Sequence, residues 1–316
     1  MITIFSSPKP FDGHIDTIQR NALASWAALG QGVEMLLIGD EPGMAEVAAE
    51  YGARHLAQVR RNELGTPLLS SIFALAHEAA RGTCLCYVNA DVMLLSDLLS
   101  VVQTTLERFT RFLLVGRRWD LDIRERMCFD PGWEDSLRRR IESEGKLHPP
   151  TGSDYFVFPK AMFRRLPDFA LGRAGWDNWM IFAGRREHVP VIDCTEAVTV
   201  VHQLHDYAHL PGGEPHFRLP ESVRNVEMVG GRATVFTMND TTWCLRRDGL
   251  ERKPWNAAGT GRALEAQIYA RLGSAPLVRV ARLALHPVET FRYYRAAALR
   301  RLSRWLGLSR SNLARR

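Results

Sequence analysis

Short apolar runs alternate with segments of helical periodicity through residue 116, and no other feature restricts the fold as much. Residues 2–5, 34–38, 84–88 and 112–115 read as buried strands. Between them Ile18, Ala22, Trp26 and Leu29 recur at helical spacing, which predicts a helix over 15–29. Residues 44–51 predict a short helix with Gly52 at its C-terminal cap position. Thr66-Pro67 offers a hydroxyl cap and then a proline whose missing N–H is not needed there, predicting a helix to Gly82. Ser96 is placed to cap a further helix to about Leu106. This alternation makes a mostly parallel sheet with helices on both faces. Ligands in such sheets bind outside the carboxyl ends of the strands. Three turns lie at such ends: Ser6-Ser7-Pro8, Asn89-Ala90-Asp91 and Arg117-Arg118-Trp119-Asp120.

The second half is less regular. Residues 119–150 read as a charged loop with a helix around 133–143, and 155–158 as a strand. Residues 197–201 form a strand running into His202-Gln-Leu-His205-Asp-Tyr-Ala-His209. The 316 residues, 46% hydrophobic and 24% charged, suffice for one large α/β domain or two modest ones. No run approaches the roughly 18 apolar residues of a membrane span. The start, MITIFSSPKPF, has no basic region followed by an apolar run, so no signal peptide is expected. Cysteines at 84, 86, 128, 194 and 244 are odd in number and contain no C-x-x-C, which points to a reduced, cytoplasmic protein without a zinc site. Charge is unevenly placed. Residues 260–316 hold twelve Arg, no Lys and two Glu, a net +10 within a whole-chain +6, so residues 1–259 carry −4. A mildly acidic body argues against nucleic-acid binding. The chain divides on this basis into a domain over 1–258 and a basic amphipathic helical tail over 259–316.

Four features occur in order: the strand and loop at 2–8, Asn89-Ala90-Asp91, Gly175-Trp176-Asp177-Asn178-Trp179, and His202 after a late strand. Together they resemble the GT-A glycosyltransferases over roughly residues 1–245. The last two are similar to the β-1,4-galactosyltransferase-like members, where an acidic segment opening with Trp-Gly supplies the base and a downstream His binds the metal. The resemblance implies an α/β GT-A fold, a Rossmann-like mixed sheet with helices on both faces. It also implies transfer of a sugar from a nucleotide-diphosphate donor to a hydroxyl of a glycan or lipid-linked acceptor.

The chemistry accounts for the residue types. Breaking the sugar–phosphate bond builds negative charge on the diphosphate, which a hard divalent cation with oxygen ligands neutralises. Asp91 is the expected metal anchor and His202 the second ligand, a mixed set that favours Mn²⁺ over Mg²⁺. Asn89, two residues from Asp91 in extended chain, faces the same side. Standing where the family has an acid, it binds ribose hydroxyls or an outer-shell water instead. Asp177 is the expected general base, flanked by Trp176 and Trp179, which stack on acceptor sugar faces and raise its pKa by desolvation. Attack is then in line and configuration inverts. Asp154 is a second acidic candidate, more suited to holding an acceptor hydroxyl. Ser7, Arg20, Arg61 and Arg117 are candidate nucleotide-sugar contacts, against the plainer reading of arginines on a solvated face. His205 and His209 are assigned structural roles.

Two other functions compete. A sugar-1-phosphate nucleotidyltransferase shares the fold class, but Ser6-Ser7-Pro8-Lys9-Pro10 is a poor substitute for its Gly-rich, Lys-bearing loop. A non-catalytic membrane-surface sugar- or nucleotide-binding protein would tolerate the charge lost at Asn89. In the tail Phe291, Tyr294, Ala298, Leu302, Trp305 and Leu306 make an apolar stripe among Arg295, Arg300, Arg301 and Arg304. A basic amphipathic helix of this kind suits the inner face of a membrane and the biosynthesis of a cell-surface polysaccharide, or packs on the protein instead.

Overall fold

The computed structural model describes residues 1–205, 217, 219–246, 248–254, 257–272, 275–288, 290–291, 294–295 and 298. The chain divides into two compact units, Met1–Pro254 and Trp255–Arg316. His209, Leu302, Trp305, Leu306, Arg300, Arg301 and Arg304 of the sequence reading lie outside the described residues.

In chain order the strands of the first unit are β1 (Ile2–Ser6), β2 (Val33–Ile38), β3 (Arg54–Leu56), β4 (Cys84–Val88), β5 (Val92–Leu94), β6 (Leu113–Val115) and β7 (Trp119–Leu121). They continue with β8 (Lys146–Leu147), β9 (Tyr155–Pro159), β10 (Val191–Asp193), β11 (Val200–Gln203), β12 (Trp243–Arg246) and β13 (Gly249–Arg252). Its helices are α1 (Gly13–Ala28), α2 (Met44–Glu50), α3 (Leu69–Ala79), α4 (Asp97–Arg108), α5 (Trp133–Glu144), α6 (Trp176–Arg186) and α7 (Pro220–Met228).

The larger sheet has the order β13-β12-β10-β6-β9-β4-β1-β2-β3. Its pairs are parallel except where β9 runs between β4 and β6 and where β13 returns on β12. This is the mixed α/β sheet expected from the alternation. Its central strands are buried on both faces, so they read as continuous apolar runs. Alternate side chains then sort the helices. Ile2, Ile4, Cys84, Cys86, Met35 and Leu37 pack with Trp26 of α1, Val47 of α2 and Val101 of α4. On the opposite face Phe5, Tyr87 and Phe158 meet Phe73 of α3, while Tyr87 and Phe156 meet Trp176 of α6. Helices therefore cover both faces. The five cysteines are all free thiols, four of them buried.

A smaller sheet, β5-β11-β7-β8, stands beside the carboxyl end of β4. It brings together four chain segments far apart in sequence. In its register His202 pairs with Val92 on one side and with Asp120 on the other. Val201, Met93 and Leu121 point to a separate apolar cluster with Leu137 and Ile141 of α5.

Several local expectations are corrected. Thr66-Pro67 does not start α3: Leu68 is extended, bridges to Ala170, and Pro67 bridges to Arg61, so the segment pairs as an edge before the helix begins. Ser96 does not cap α4 with its hydroxyl, which donates to Glu134 of α5 at 2.7 Å. The strand expected at 197–201 is β11, shifted to Val200–Gln203 because the Ala197 and Val198 amides turn back onto the Cys194 carbonyl.

The second unit contains α8 (Ala257–Leu272) and α9 (Ala275–Leu285). Buried Glu265 accepts from Arg262 at 2.6 Å and lies 3.3 Å from His286. No described helix is long and apolar enough to cross a membrane.

Candidate active site

The turn after β4 carries Asn89-Ala90-Asp91 over the carboxyl ends of the parallel strands. The Asp91 backbone is fixed from beneath: its carbonyl accepts from Gln203 N and Nε2, both at 3.2 Å. Gln203 is itself held by Ile18 O and by Asn21 of α1. Trp26 Nε1 donates to Val92 O at 2.9 Å and pins the next residue. A buried polar lattice of this kind positions the carboxylate more firmly than a free turn would.

Around that carboxylate stand two imidazoles. His205 Nε2 is 3.1 Å from Asp91 Oδ2, and one donor atom from each of Asp91, His202 and His205 falls within a 4.8 Å span. Asp91 Oδ1 is buried and has no hydrogen-bond partner among the described residues. Burial would raise the Asp91 pKa, but His205, His202 and Lys9 overrule it and hold the carboxyl well below the usual range. One carboxylate with an unengaged buried oxygen and two imidazoles within reach fits a divalent cation, of the kind that accepts mixed N and O ligands. Sequence reading gave His205 a structural role. It sits three residues past His202, and only the chain path beyond β11 turns it back to Asp91.

Lys9, in the turn after β1, reaches the same carboxylate. Its Nζ is 3.9 Å from Asp91 Oδ2 and 3.4 Å from His205 Nε2. Gln19 clamps the Lys9 backbone, accepting from its N–H at 2.7 Å and donating to its carbonyl at 2.9 Å. Burial lowers the Lys9 pKa, partly offset by Asp91. Nothing in the sequence singled this lysine out beyond its place at a strand end.

A second polar chain runs from His202 outward. Asp120 Oδ1 lies 3.2 Å from His202 Nδ1, out of line for a hydrogen bond, and accepts from Arg118 Nε at 2.9 Å. Its Oδ2 is 2.8 Å from His148 Nδ1. Burial of Asp120 is outweighed by His148, His202 and Arg118, which keep it ionised well below the usual range. Arg118 also donates to Asp154.

Asn89 does not join the cluster. Its Nδ2 donates to Asp154 Oδ1 at 2.7 Å, its Oδ1 accepts from Tyr87 at 3.0 Å, and its backbone N–H donates to Asp154 O. The expected role in ribose or water binding is replaced by an internal link. Asp154 is a positioned, ionically paired group: Oδ1 accepts from Asn89 and Oδ2 from Arg118.

Asp177 stands in the first turn of α6. Gly175 takes the cap position of that helix at φ +103°, and a Cβ there would meet Val226 Cγ2 at 2.5 Å. Only glycine accepts both that backbone and that approach. Half-buried Asp177 has its pKa pushed up to about 6 by burial, helped by Asp154 and opposed by the backbone amides of Asn178, Ser153 and Gly175. The buried Tyr87 hydroxyl is raised by burial and by the charges of Asp91, Asp154 and Asp177, so all three carboxylates lie within electrostatic reach of it. Gly152 passes close to two of the neighbouring groups: a methyl group there would lie 3.4 Å from His148 Nε2 and 4.0 Å from Asp177 Oδ2.

The remaining candidates divide. Ser7 is buried at the end of β1, its Oγ without a partner among the described residues, beside Gly39 at the end of β2. Arg61 pairs with Asp40 and Glu41 just past β2. Arg20 is committed to Asp16 and Glu50, tying α1 to α2, and is not among the groups around Asp91. Arg117 Nε donates to His148 O at 2.6 Å, and its neighbour Arg118 is the one that meets the carboxylates. Trp176 and Trp179 are 4% and 6% exposed, packed on Tyr87, Phe156 and Phe169. Their rings are buried in the core, which leaves no open face for the stacking on an acceptor sugar that the sequence suggested. The two grooves lined by Arg138, Glu196, Thr199, Arg246 and Asp248 lie away from this chemistry.

No protein-family model matches the sequence, and no curated protein matches it. Among solved structures the chain is similar to residues 1–349 of TarS from S. aureus in complex with UDP-GlcNAc, at 10% identity and a TM-score of 0.49, covering 90% of this chain and 80% of that one. It is similar to a mannosyltransferase from Pyrobaculum calidifontis in complex with GDP-Man and Mn²⁺, at 12% identity and a TM-score of 0.44, over 95% and 80%. It is also similar to glucosyl-3-phosphoglycerate synthase from Mycobacterium tuberculosis with Mn²⁺, UDP and phosphoglyceric acid, at 14% identity and a TM-score of 0.41, over 65% and 71%.

Proposed function

We propose that this chain is a metal-assisted glycosyltransferase that moves a sugar from a nucleotide-diphosphate donor to an acceptor hydroxyl. The single observation that carries the proposal is the set Asp91, His202 and His205 at the carboxyl end of the sheet, with one donor atom from each inside a 4.8 Å span. Asp91, His202 and His205 would hold the cation, with Mn²⁺ suited to the mixed donors. When bound it neutralises charge on the departing diphosphate. Asp120, fixed by Arg118 and His148, adds a negative charge 3.2 Å from His202 Nδ1. Asp177 is the general base. A carboxyl near 6 is ionised at neutral pH yet basic enough to accept a hydroxyl proton as attack begins. Asp154 and Asn89 fix the wall between base and cation. Ser7 and Arg61, at the ends of β1 and β2, are placed for the nucleotide. In-line attack with Asp177 as base inverts the anomeric centre.

The acceptor is a glycan or a lipid-linked sugar, reached at a membrane surface through the second unit. Support comes from the net +10 of residues 260–316 and from Leu277, Val280, Leu283, Phe291 and Tyr294, each at least half exposed. Sedimentation with anionic vesicles, compared between the whole chain and one ending at 276, tests this part. Equal sedimentation refutes it.

The function is tested by thermal shift with UDP-, GDP- and ADP-sugars and their nucleoside diphosphates, with and without Mn²⁺. A Mn²⁺-dependent rise with one nucleotide class is expected, and its loss in Asp91→Ala. No shift with any nucleotide, or an unchanged shift in Asp91→Ala, overturns the assignment.

A further inference from the structure

The cation site contains a cation of its own. Asp91 is the only carboxylate among the three donors. Asn89, which stands where a second acid would add charge, is turned away and bound to Asp154 and Tyr87. Lys9 meanwhile brings an ammonium to 3.9 Å from Asp91 Oδ2 and 3.4 Å from His205 Nε2. The Lys9 backbone cannot drift away, since Gln19 holds both its N–H and its C=O, and Gln19 is itself buried. Only the lysine stem is free to move. An ion held by Asp91 and His205 would share both partners with Nζ, and like charges at such range repel strongly in a partly buried setting.

We infer that Lys9 is a tethered competitor for the metal site, which holds Asp91 in the free protein and yields when a nucleoside diphosphate arrives with the divalent ion. The inference rests on the metal reading above. Without a nucleotide, Asp91 and Lys9 balance each other, and a divalent ion adds two positive charges to a site with one negative. The diphosphate supplies the missing negative charge. It draws the ammonium off Asp91 onto a phosphate oxygen and leaves the carboxylate for the ion. Metal and nucleotide therefore bind as a pair, each improving the other, and Lys9 is the element that couples them.

The test is the affinity for Mn²⁺ alone, read by the loss of the free-ion electron paramagnetic resonance signal, and repeated at saturating UDP or GDP, whichever shifts melting. Wild type, Lys9→Met, Lys9→Gln and Lys9→Arg are compared after melting curves confirm that each is folded. Removing the charge is expected to tighten Mn²⁺ binding at least about fivefold without nucleotide, in both Met and Gln variants. Lys9→Arg is expected to stay near wild type. With nucleotide present the gain disappears or reverses, because the lost ammonium no longer contacts the diphosphate. Equal Mn²⁺ affinity in wild type and both neutral variants overturns the inference while leaving the metal site standing. Absence of Mn²⁺ binding in every variant, with and without nucleotide, overturns the metal site and the inference together.

Discussion

Replacing Asp177 with Asn is expected to abolish transfer and yet stabilise the fold at alkaline pH. The native carboxyl is raised from an ordinary 3.8 to about 6, chiefly by burial. A group raised in the native state adds stability that is complete below its unfolded pKa and is lost as pH rises through its native one. Above about pH 7 the wild-type protein therefore carries an ionised group in a poor setting, at a cost of about 3 kcal/mol by the conversion of pKa to free energy. Asn removes that cost. It also weakens the contacts with the amides of Asn178, Ser153 and Gly175, since a carboxylate accepts more strongly than an amide. The net gain at pH 8 is then about 1–2 kcal/mol, or roughly 3–6 °C in melting temperature for a unit of this size. Near pH 4 the wild-type group is already protonated and the gain should vanish. Thermal and urea melts of both proteins at pH 4, 6 and 8 provide the assay, and no substrate is needed. A variant less stable than wild type at pH 8, or a gain that does not depend on pH, would refute the burial of Asp177 and with it the origin of its basicity.

Three further outcomes are expected. The pH profile of kcat/KM for transfer should rise through about 6 and then level, because only ionised Asp177 accepts the acceptor proton; a limb at a different pH assigns the base elsewhere. Asn89→Asp, which restores the acid usual in the resembled family, should not strengthen Mn²⁺ binding and should cost about 1–3 kcal/mol. It replaces a donor to Asp154 by a second carboxylate, and urea titration with parallel metal titration decides. Trp176→Ala should cost about 3–5 kcal/mol in stability, since the ring is core against Tyr87 and Phe156; a loss confined to acceptor KM would return it to a sugar-stacking role.

The sheet was legible because its strands are buried on both faces, which leaves long apolar runs between turn residues. Asp91 was legible because a polar triplet interrupts such a run at the point where a parallel strand ends. What escaped was everything assembled by the small sheet. Its strands are two to four residues long, too short for periodicity to register, and Trp119-Asp120-Leu121 and Lys146-Leu147 look like loop. Asp120, Arg118 and His148 therefore had no visible reason to meet His202. His205 was discounted for its polar neighbourhood, which says nothing about where the chain turns next. The tryptophans misled in the opposite direction. A Trp-Asp-Asn-Trp string is compatible with an aromatic cradle for sugar, but on the first turn of a helix the spacing of Trp176 and Trp179 also buries both rings, one on Tyr87 and Phe156 and the other on Phe169.

The pairing of β11 has a further consequence. A strand has two faces, and a slip of one residue exchanges them. Here one face presents Val201 to Met93, Leu121 and the helix above, while the other presents His202 to Val92 and Asp120. A shift by one position would expel Val201 from its apolar cluster as it brought Val201 or Gln203 into the place of His202 beside Asp91 and Asp120. The histidine is thus kept at its address by a valine that never touches the chemistry. Length changes in the turn at 195–199 should be absorbed there without reaching the ligand, whereas a polar residue at 201 would disturb cation binding with His202 itself untouched.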